Sequence, residues 1–237
     1  MKFEGKNSVF EALNSNNALN KILISSTINR KSIENILKLA KTKNVRVQFV
    51  DGEILKKESE TGKHQGIIAF GEEYKYASLE EILAGNEEKV LLILDGVEDP
   101  HNFGSIIRSA ECFGVDGIII PKNRACPVTE TVIKTSAGAI SHVKIARVTN
   151  LNQTIEELKK VNFWVYGLEL GGRPIDEINF SGNIALVVGS EGKGTSALTK
   201  KLCDDVATLK LFGKVNSLNV SVATGIGLFE ISKLRGK

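Results

Sequence analysis

Hydrophobic positions along the chain recur in two rhythms, helical and alternating, and the way they follow one another divides it in two. In the first third the elements are short. Ser8 to Leu13 has the start and spacing of a helix, Lys21-Ile22-Leu23-Ile24 reads as a strand, and Ser32 is a good N-cap for a helix carrying Ile33, Ile36, Leu37, Leu39 and Ala40. Val45 to Val50 alternates with period two, as a half-buried strand does, and Ile67-Ile68-Ala69-Phe70 is apolar throughout, as a buried strand is. These elements predict a small α/β sandwich over residues 1–75. Residues 71–88 are polar and include Gly71, Gly85 and Asn86, so 76–88 is expected to be a linker.

From residue 89 the pattern becomes regular. Val90–Leu94, Gly117–Ile120, His142–Val148, Phe163–Leu168, Ile184–Val188 and Val206–Leu211 are apolar, strand-length runs. Helix-length segments lie between or after them: Phe103–Phe113, Thr129–Ile140, Leu151–Lys160, Thr195–Leu202 and Leu218–Leu234. Strands apolar on both faces and separated by helices imply a mostly parallel sheet covered on both sides. The fold class is therefore α/β, with residues 89–237 as the larger body.

Composition adds exclusions. With 42% hydrophobic and 25% charged residues over 237, the chain is an ordinary globular one and neither disordered nor fibrous. No apolar run approaches the roughly 20 residues of a membrane helix, and the opening Met1-Lys2-Phe3-Glu4-Gly5-Lys6 lacks the apolar stretch of a secretory signal. Cys112, Cys126 and Cys203 are far apart and form no C-x-x-C pair, which argues against a disulfide framework or a zinc site. A cytoplasmic location without membrane attachment and without metal is the expectation. Net charge is +3, but it is unevenly spread: +4 over residues 1–75, −4 over 76–88 and +3 over 89–237. Two basic bodies flanking an acidic segment suit a polyanionic partner without demanding one.

In an open parallel sheet, ligands bind beyond the carboxyl ends of the strands, so the loops there carry the chemistry. Three stand out: residues 94–108, 189–194 and 209–221. Gly192-Lys193-Gly194-Thr195-Ser196-Ala197 has the outline of a dinucleotide loop, but it opens no early βαβ unit and no acidic residue follows at the end of the next strand to hold a ribose. Residues 189–195 also imitate a phosphate-binding loop, with the lysine before the glycine it should follow. Asn102 sits where an N-cap is expected. Arg108 lies six residues on, about 120° away around an ideal helix, and spacing alone makes it a surface residue. Asn216-Ser217-Leu218-Asn219-Val220-Ser221 places four polar side chains around one helix start. One cap suffices, so the surplus points to a ligand or a restrained backbone.

Asn102-Phe103-Gly104 with Arg108, Val187-Val188-Gly189-Ser190-Glu191-Gly192, and Val215 to Ala223 together resemble the three ordered motifs of the SpoU family. Members of that family are S-adenosylmethionine-dependent RNA ribose 2′-O-methyltransferases of the SPOUT superfamily. The resemblance implies a trefoil-knotted SPOUT domain over 89–237, a rare exception to the rule against threaded chains. Gly5-Lys6-Asn7-Ser8-Val9 and His64-Gln65-Gly66-Ile67 resemble the family's N-terminal L30e-like domain for RNA substrates. Gly189, Leu209 and Leu218 match positions that hold the cofactor, S-adenosyl-L-methionine. Asn102, Arg108, Glu191, Ser217 and Asn219 match catalytic positions. The family makes the arginine a base. A guanidinium keeps its proton up to a pKa above about 12, so Arg108 is expected instead to bind phosphate and stabilise a developing alkoxide, with Asn102, Ser217 and Asn219 orienting it. Lys210 stands where the family usually has Pro. The implied substrate is a guanosine of 23S rRNA, with tRNA as the rival. The implied assembly is a homodimer joined through the apolar helix after Leu218. A non-catalytic RNA-binding assembly factor and a nicotinamide enzyme are readings from other classes.

Overall fold

The computed structural model describes residues 1–14, 19–59, 61–72, 74–85, 87–192, 194–214 and 217–236. The chain divides into two compact units, Met1–Lys75 and Tyr76–Lys237. In the first, β1 (Lys2–Glu4), β2 (Leu19–Ser25), β3 (Arg46–Val50) and β4 (Ile67–Gly71) form a sheet in the order β1-β4-β2-β3. β2 and β3 run parallel, and β4 is antiparallel to both β1 and β2. Helices α1 (Lys6–Asn14) and α2 (Glu34–Thr42) bring Val9, Leu13 and Ile36 onto Ile22, Ile24 and Ile67 on one face. On the other, α3 (Gly52–Glu58) sets Leu55 on Leu23 and Ile68. The two short motifs of this unit are neighbours. The Gly5 N–H donates to the Ile67 carbonyl at 3.1 Å and the Lys6 N–H to Gln65 Oε1 at 3.3 Å.

The second unit is built on a six-stranded sheet in which every pairing is parallel. Its strands are β5 (Val90–Asp95), β6 (Gly117–Pro121), β7 (Lys144–Val148), β8 (Phe163–Pro174), β9 (Asn183–Gly189) and β10 (Asp205–Thr208), in the order β10-β8-β9-β5-β6-β7. Leu91, Ile93, Ala185 and Val187 face α7 (Leu151–Lys160) through Leu151, Ile155 and Leu158. Alternate residues Leu92, Leu94 and Leu186 point to the other face and are also buried. There α9 (Val220–Leu234) comes so close that a Cβ on Gly227 would lie 3.0 Å from Leu168.

Several boundaries differ from the sequence reading. α6 (Glu130–Thr135) stops there because Ala137 and Gly138 take positive φ, of 50° and 91°. The apolar run to Ile140 continues as a single 3₁₀ turn. β8 runs on from Leu168 to Pro174, where Arg173 and Pro174 pair with Ala207 and Thr208 of β10. The expected linker 76–88 is instead part of the second unit. Ser78 and Glu81 form a capping box that starts α4 (Leu79–Leu83), and this helix buries Ile82 beside Leu91 and Ile119. Gly117 has no Cβ because Ile82 occupies that space, 2.5 Å from where the atom would be.

Among the described residues no helix is long and apolar enough to cross a membrane, and the three cysteines are free. If α4 is part of the sheet's cover, Ile82→Ala should destabilise the second unit by about 2–5 kcal/mol, as other buried truncations do. Urea unfolding followed through Trp164, which lies in β8, measures it. A change within error would return 76–88 to the status of a linker.

Candidate active site

Because all the strands run parallel, the loops that follow them leave at one edge of the sheet. β5 leads on to β6 at one side while β9 leads to β10 at the other, so the loops part where Asp95 stands opposite Gly189. Such a divergence opens a crevice.

The loop after Gly189 folds back on itself. Ser190 and Gly194 exchange backbone hydrogen bonds at 3.1 and 2.9 Å, with Gly192 and Gly194 at φ 81° and 65°. A Cβ on Gly189 would lie 2.0 Å from the Gly194 carbonyl carbon. The close approach that Gly189 permits is thus by its own loop. Glu169, near the bend of β8, braces the turn. Its Oε1 accepts from the Thr195 N–H at 2.7 Å and its Oε2 from Lys200 Nζ at 2.5 Å. Burial alone would push the Glu169 carboxyl up, but the bonds from Lys200 and Thr195, with the lysine charge, hold it below the usual carboxylate range. Asp95 fixes the next residue, its Oδ2 accepting from the Ser196 N–H at 2.9 Å. Ser196 caps α8 (Ala197–Leu202), so Glu191 is not needed as a cap.

Asn102 is not an N-cap. Asp99 caps α5 (Pro100–Cys112), accepting from the Asn102 N–H at 2.7 Å, with Pro100 favouring the first turn. The Asn102 side chain is thereby released for other bonds. Its Nδ2 donates to Glu191 Oε2 at 3.4 Å and its Oδ1 accepts from Asn219 Nδ2 at 3.0 Å. Asn219 has a second task, since its Oδ1 caps α9 by accepting from the Ser221 and Val222 N–H groups. Residues from three separate segments therefore meet: Asn102 from α5, Glu191 from the loop after β9 and Asn219 from the start of α9.

Gly189, Leu209, Leu218 and Ser217 line one cleft of about 350 Å³ beyond β8, β9 and β10, with Leu168, Leu170 and Leu211 adding apolar wall. A second cleft of about 730 Å³ opens beyond β5, β6 and β7. Glu191 lines both. Arg108 lines neither and is exposed on α5, with no hydrogen bond or ion pair among the described residues. The expectation that Asn102, Ser217 and Asn219 orient it is not met within one chain. The two asparagines bond to each other, and the angle around the helix carries Arg108 away from them. Lys210 turns outward to Asp176 and Glu177, at 3.4 and 3.8 Å. Lys193, Val215 and Asn216 lie outside the described residues.

Residues 89–229 match the SpoU rRNA methylase family, more than half of the chain. The chain belongs to this SpoU family of RNA methyltransferases. Residues 3–77 match a second family, the RNA 2′-O ribose methyltransferase substrate-binding domain. YacO of Bacillus subtilis, by name a TrmH family tRNA/rRNA methyltransferase, is 44% identical over 98% of this chain and 94% of its own. An RNA methyltransferase structure of the TrmH family from Porphyromonas gingivalis is 27% identical, with TM-score 0.64, covering 97% of this chain and 88% of that one. The SpoU methyltransferase AviRb of Streptomyces viridochromogenes, solved in complex with AdoMet, shares the fold. Its TM-score is 0.69 at 20% identity, covering 100% and 91% of the two chains.

The SpoU loop brace includes residues that the sequence reading passed over. Glu169 had one available signal, a carboxylate just past an apolar strand at the edge where ligands bind. Because its carboxyl is held low in the fold, the stability it contributes is complete above the ordinary carboxylate range. That stability is lost as pH falls through its lower folded value. The urea midpoint of the SpoU protein should therefore fall more steeply on acidification than that of Glu169→Gln. Parallel pH profiles would show that the carboxylate braces nothing.

Proposed function

We propose that the protein transfers the methyl group of S-adenosylmethionine to the 2′-hydroxyl of a ribose in RNA, that of a guanosine in 23S rRNA, and does so as a homodimer. The observation that carries this reading is the meeting of Asn102, Glu191 and Asn219 where an apolar cleft and a polar one adjoin.

The smaller cleft fits the cofactor. Leu209, Leu211 and Leu218 offer an apolar wall for an adenine, and Gly189, Ser190 and Gly194 of the tight turn line the same cleft. When bound, S-adenosylmethionine supplies a methyl group on a positively charged sulfur. The chain's residues must hold the acceptor oxygen in line with it. Glu191, reaching both clefts, is placed to take the hydrogen bond of a ribose hydroxyl, and Asn102 fixes the Glu191 carboxylate. Asn219 fixes Asn102 in turn, so the set is held in one geometry before substrate arrives. The trefoil knot that the SPOUT resemblance implies would account for how β10 and α9 come to flank one cleft.

Arg108 has no hydrogen bond or ion pair among the described residues, and a dimer would supply its place. Val222, Ile226 and Phe229 leave α9 with an apolar face that is 49%, 40% and 48% exposed. Arg108 borders this face, because the next residue, Ser109, meets α9 at Gly225. A second copy covering the face would bring Arg108 beside a phosphate and a developing alkoxide. An RNA of the tRNA class is the second reading, supported by the name of YacO, which spans both classes.

Arg108→Ala should lower methyl transfer by about 100- to 1,000-fold and leave S-adenosylmethionine affinity unchanged. Arg108→Lys should not restore activity, because an ammonium lacks the planar fork. Gly189→Val should lose cofactor binding and activity together. Calorimetry beside labelled-methyl transfer to 23S rRNA and to tRNA reads all three, and no cofactor binding by the unaltered chain would leave an RNA-binding assembly factor. Separately, sedimentation should give a dimer, and Ile226→Asp a monomer without transfer activity. A fully active monomer would remove the dimer.

A further inference from the structure

We propose that the 730 Å³ cleft seats the base of the acceptor nucleotide, and that Arg124 and Glu98 read that base as guanine. The proposal rests on the methyl-transfer reading above and assigns the specificity of the same site. If the ribose lies at Glu191 and the smaller cleft holds the cofactor, the adjoining larger cleft is within reach of the base attached to that ribose. The larger cleft starts at Glu191 and Asn102 and continues past the ends of β5, β6 and β7. Its volume is in the range of sites that enclose a nucleoside-sized ligand.

The lining then tells what enters. Arg124 is held at φ 54°, a left-handed conformation that is uncommon for a residue with a long side chain. The turn that carries it is tied at both ends. The Lys122 N–H donates to the Val148 carbonyl at 2.8 Å, and the Cys126 N–H donates to the Val97 carbonyl at 2.9 Å. The Arg147 guanidinium donates to the Lys122 carbonyl at 3.0 Å. The strained backbone thus sits in a fixed turn at the rim of the cleft, and the exposed Arg124 lines the cleft from it.

Despite four carboxylates on the same cleft, Arg124 makes no hydrogen bond or ion pair among the described residues. Three of the four are already used: Asp95 by the Ser196 N–H, Asp99 by the Asn102 N–H and Glu191 by Asn102 Nδ2. Glu98 has no such partner among the described residues. One free donor fork and one free carboxylate therefore share a cavity without pairing with each other.

Guanine is complementary to that pair. Its O6 and N7 are adjacent acceptors that a guanidinium engages bidentately, and its N1–H and N2 amine are adjacent donors suited to a carboxylate. Adenine puts an amine where the arginine needs an acceptor, and neither pyrimidine offers N7. Both guanine edges are reachable only on an unstacked base, the usual state of an RNA nucleotide read by protein. A phosphate in the cleft would face the four carboxylates.

The test uses the full-length chain, an unmodified 23S rRNA transcript and labelled S-adenosylmethionine. The labelled product is digested to nucleosides. The label should appear in 2′-O-methylguanosine. Arg124→Ala and Glu98→Gln should each lower kcat/KM about 10- to 100-fold, with cofactor affinity and the salt dependence of kcat/KM unchanged. Label in any other nucleoside would overturn the assignment, as would normal kcat/KM in either variant. A salt slope shallower by nearly one unit in Arg124→Ala would also overturn it, since that is the mark of a lost phosphate contact. Failure of the unaltered chain to bind S-adenosylmethionine would remove the methyl-transfer reading and this inference together. Normal binding and transfer with unaffected variants would remove only the inference.

Discussion

At Gly189 the chain returns on itself so closely that a methyl group on its Cα would overlap the Gly194 peptide. That contact lets β9 end and its loop turn back within six residues. The returning strand of loop is then pinned from two sides, by Glu169 from β8 and by Asp95 from β5. These are the two strands beside β9, so the loop is tied to both halves of the diverging sheet. Glu191 sits at the tip of that loop, and its reach into both clefts follows from the turn beneath it. The rest of the site is arranged around this projection. Asn102 arrives on α5 and Asn219 at the start of α9, and each spends part of its bonding capacity on the other.

This is a costly arrangement for a loop, with a partly buried carboxylate bracing it and two glycines at positive φ. The charge on Glu169 is compensated by Lys200, which keeps the carboxylate ionised despite its partial burial. Exposed pairs such as Lys210 with Asp176 add little by comparison, because water screens them.

The alternation of apolar strands and helices made the parallel sheet legible from residue 89 onward, since strands buried on both faces leave continuous apolar runs. The motif residues were legible by resemblance, and the structure joins three of them by hydrogen bonds. What stayed hidden had local causes. The stronger cap Asp99-Pro100 lay three residues before Asn102, and only tertiary contacts show that Asn102 is spoken for elsewhere. Ser78 and Glu81 form a capping box inside a stretch whose charge and glycine suggested a linker. The burial of Ile82 depends on a glycine 35 residues later, at Gly117. Glu169 and Arg124 carried no motif at all. One is read from what it braces and the other from its backbone angle, neither of which a linear pattern contains.

The strand order has a consequence for how the chain acquires its fold. β5, near the middle of the sheet, pairs with β6 about two dozen residues later on one side, but on the other it waits for β9, some 90 residues further along. During synthesis its open edge is thus exposed while most of the second unit is still being made. Slow, non-local pairing of this kind leaves apolar strands available to other chains. The Met1–Lys75 unit is complete in sequence before β5 is made, and its longest pairing, β1 with β4, closes within it. The emerging polypeptide therefore has a folded leading part and an unfinished sheet behind it. Chaperone dependence and aggregation of truncated chains would be governed by the interval between β5 and β9.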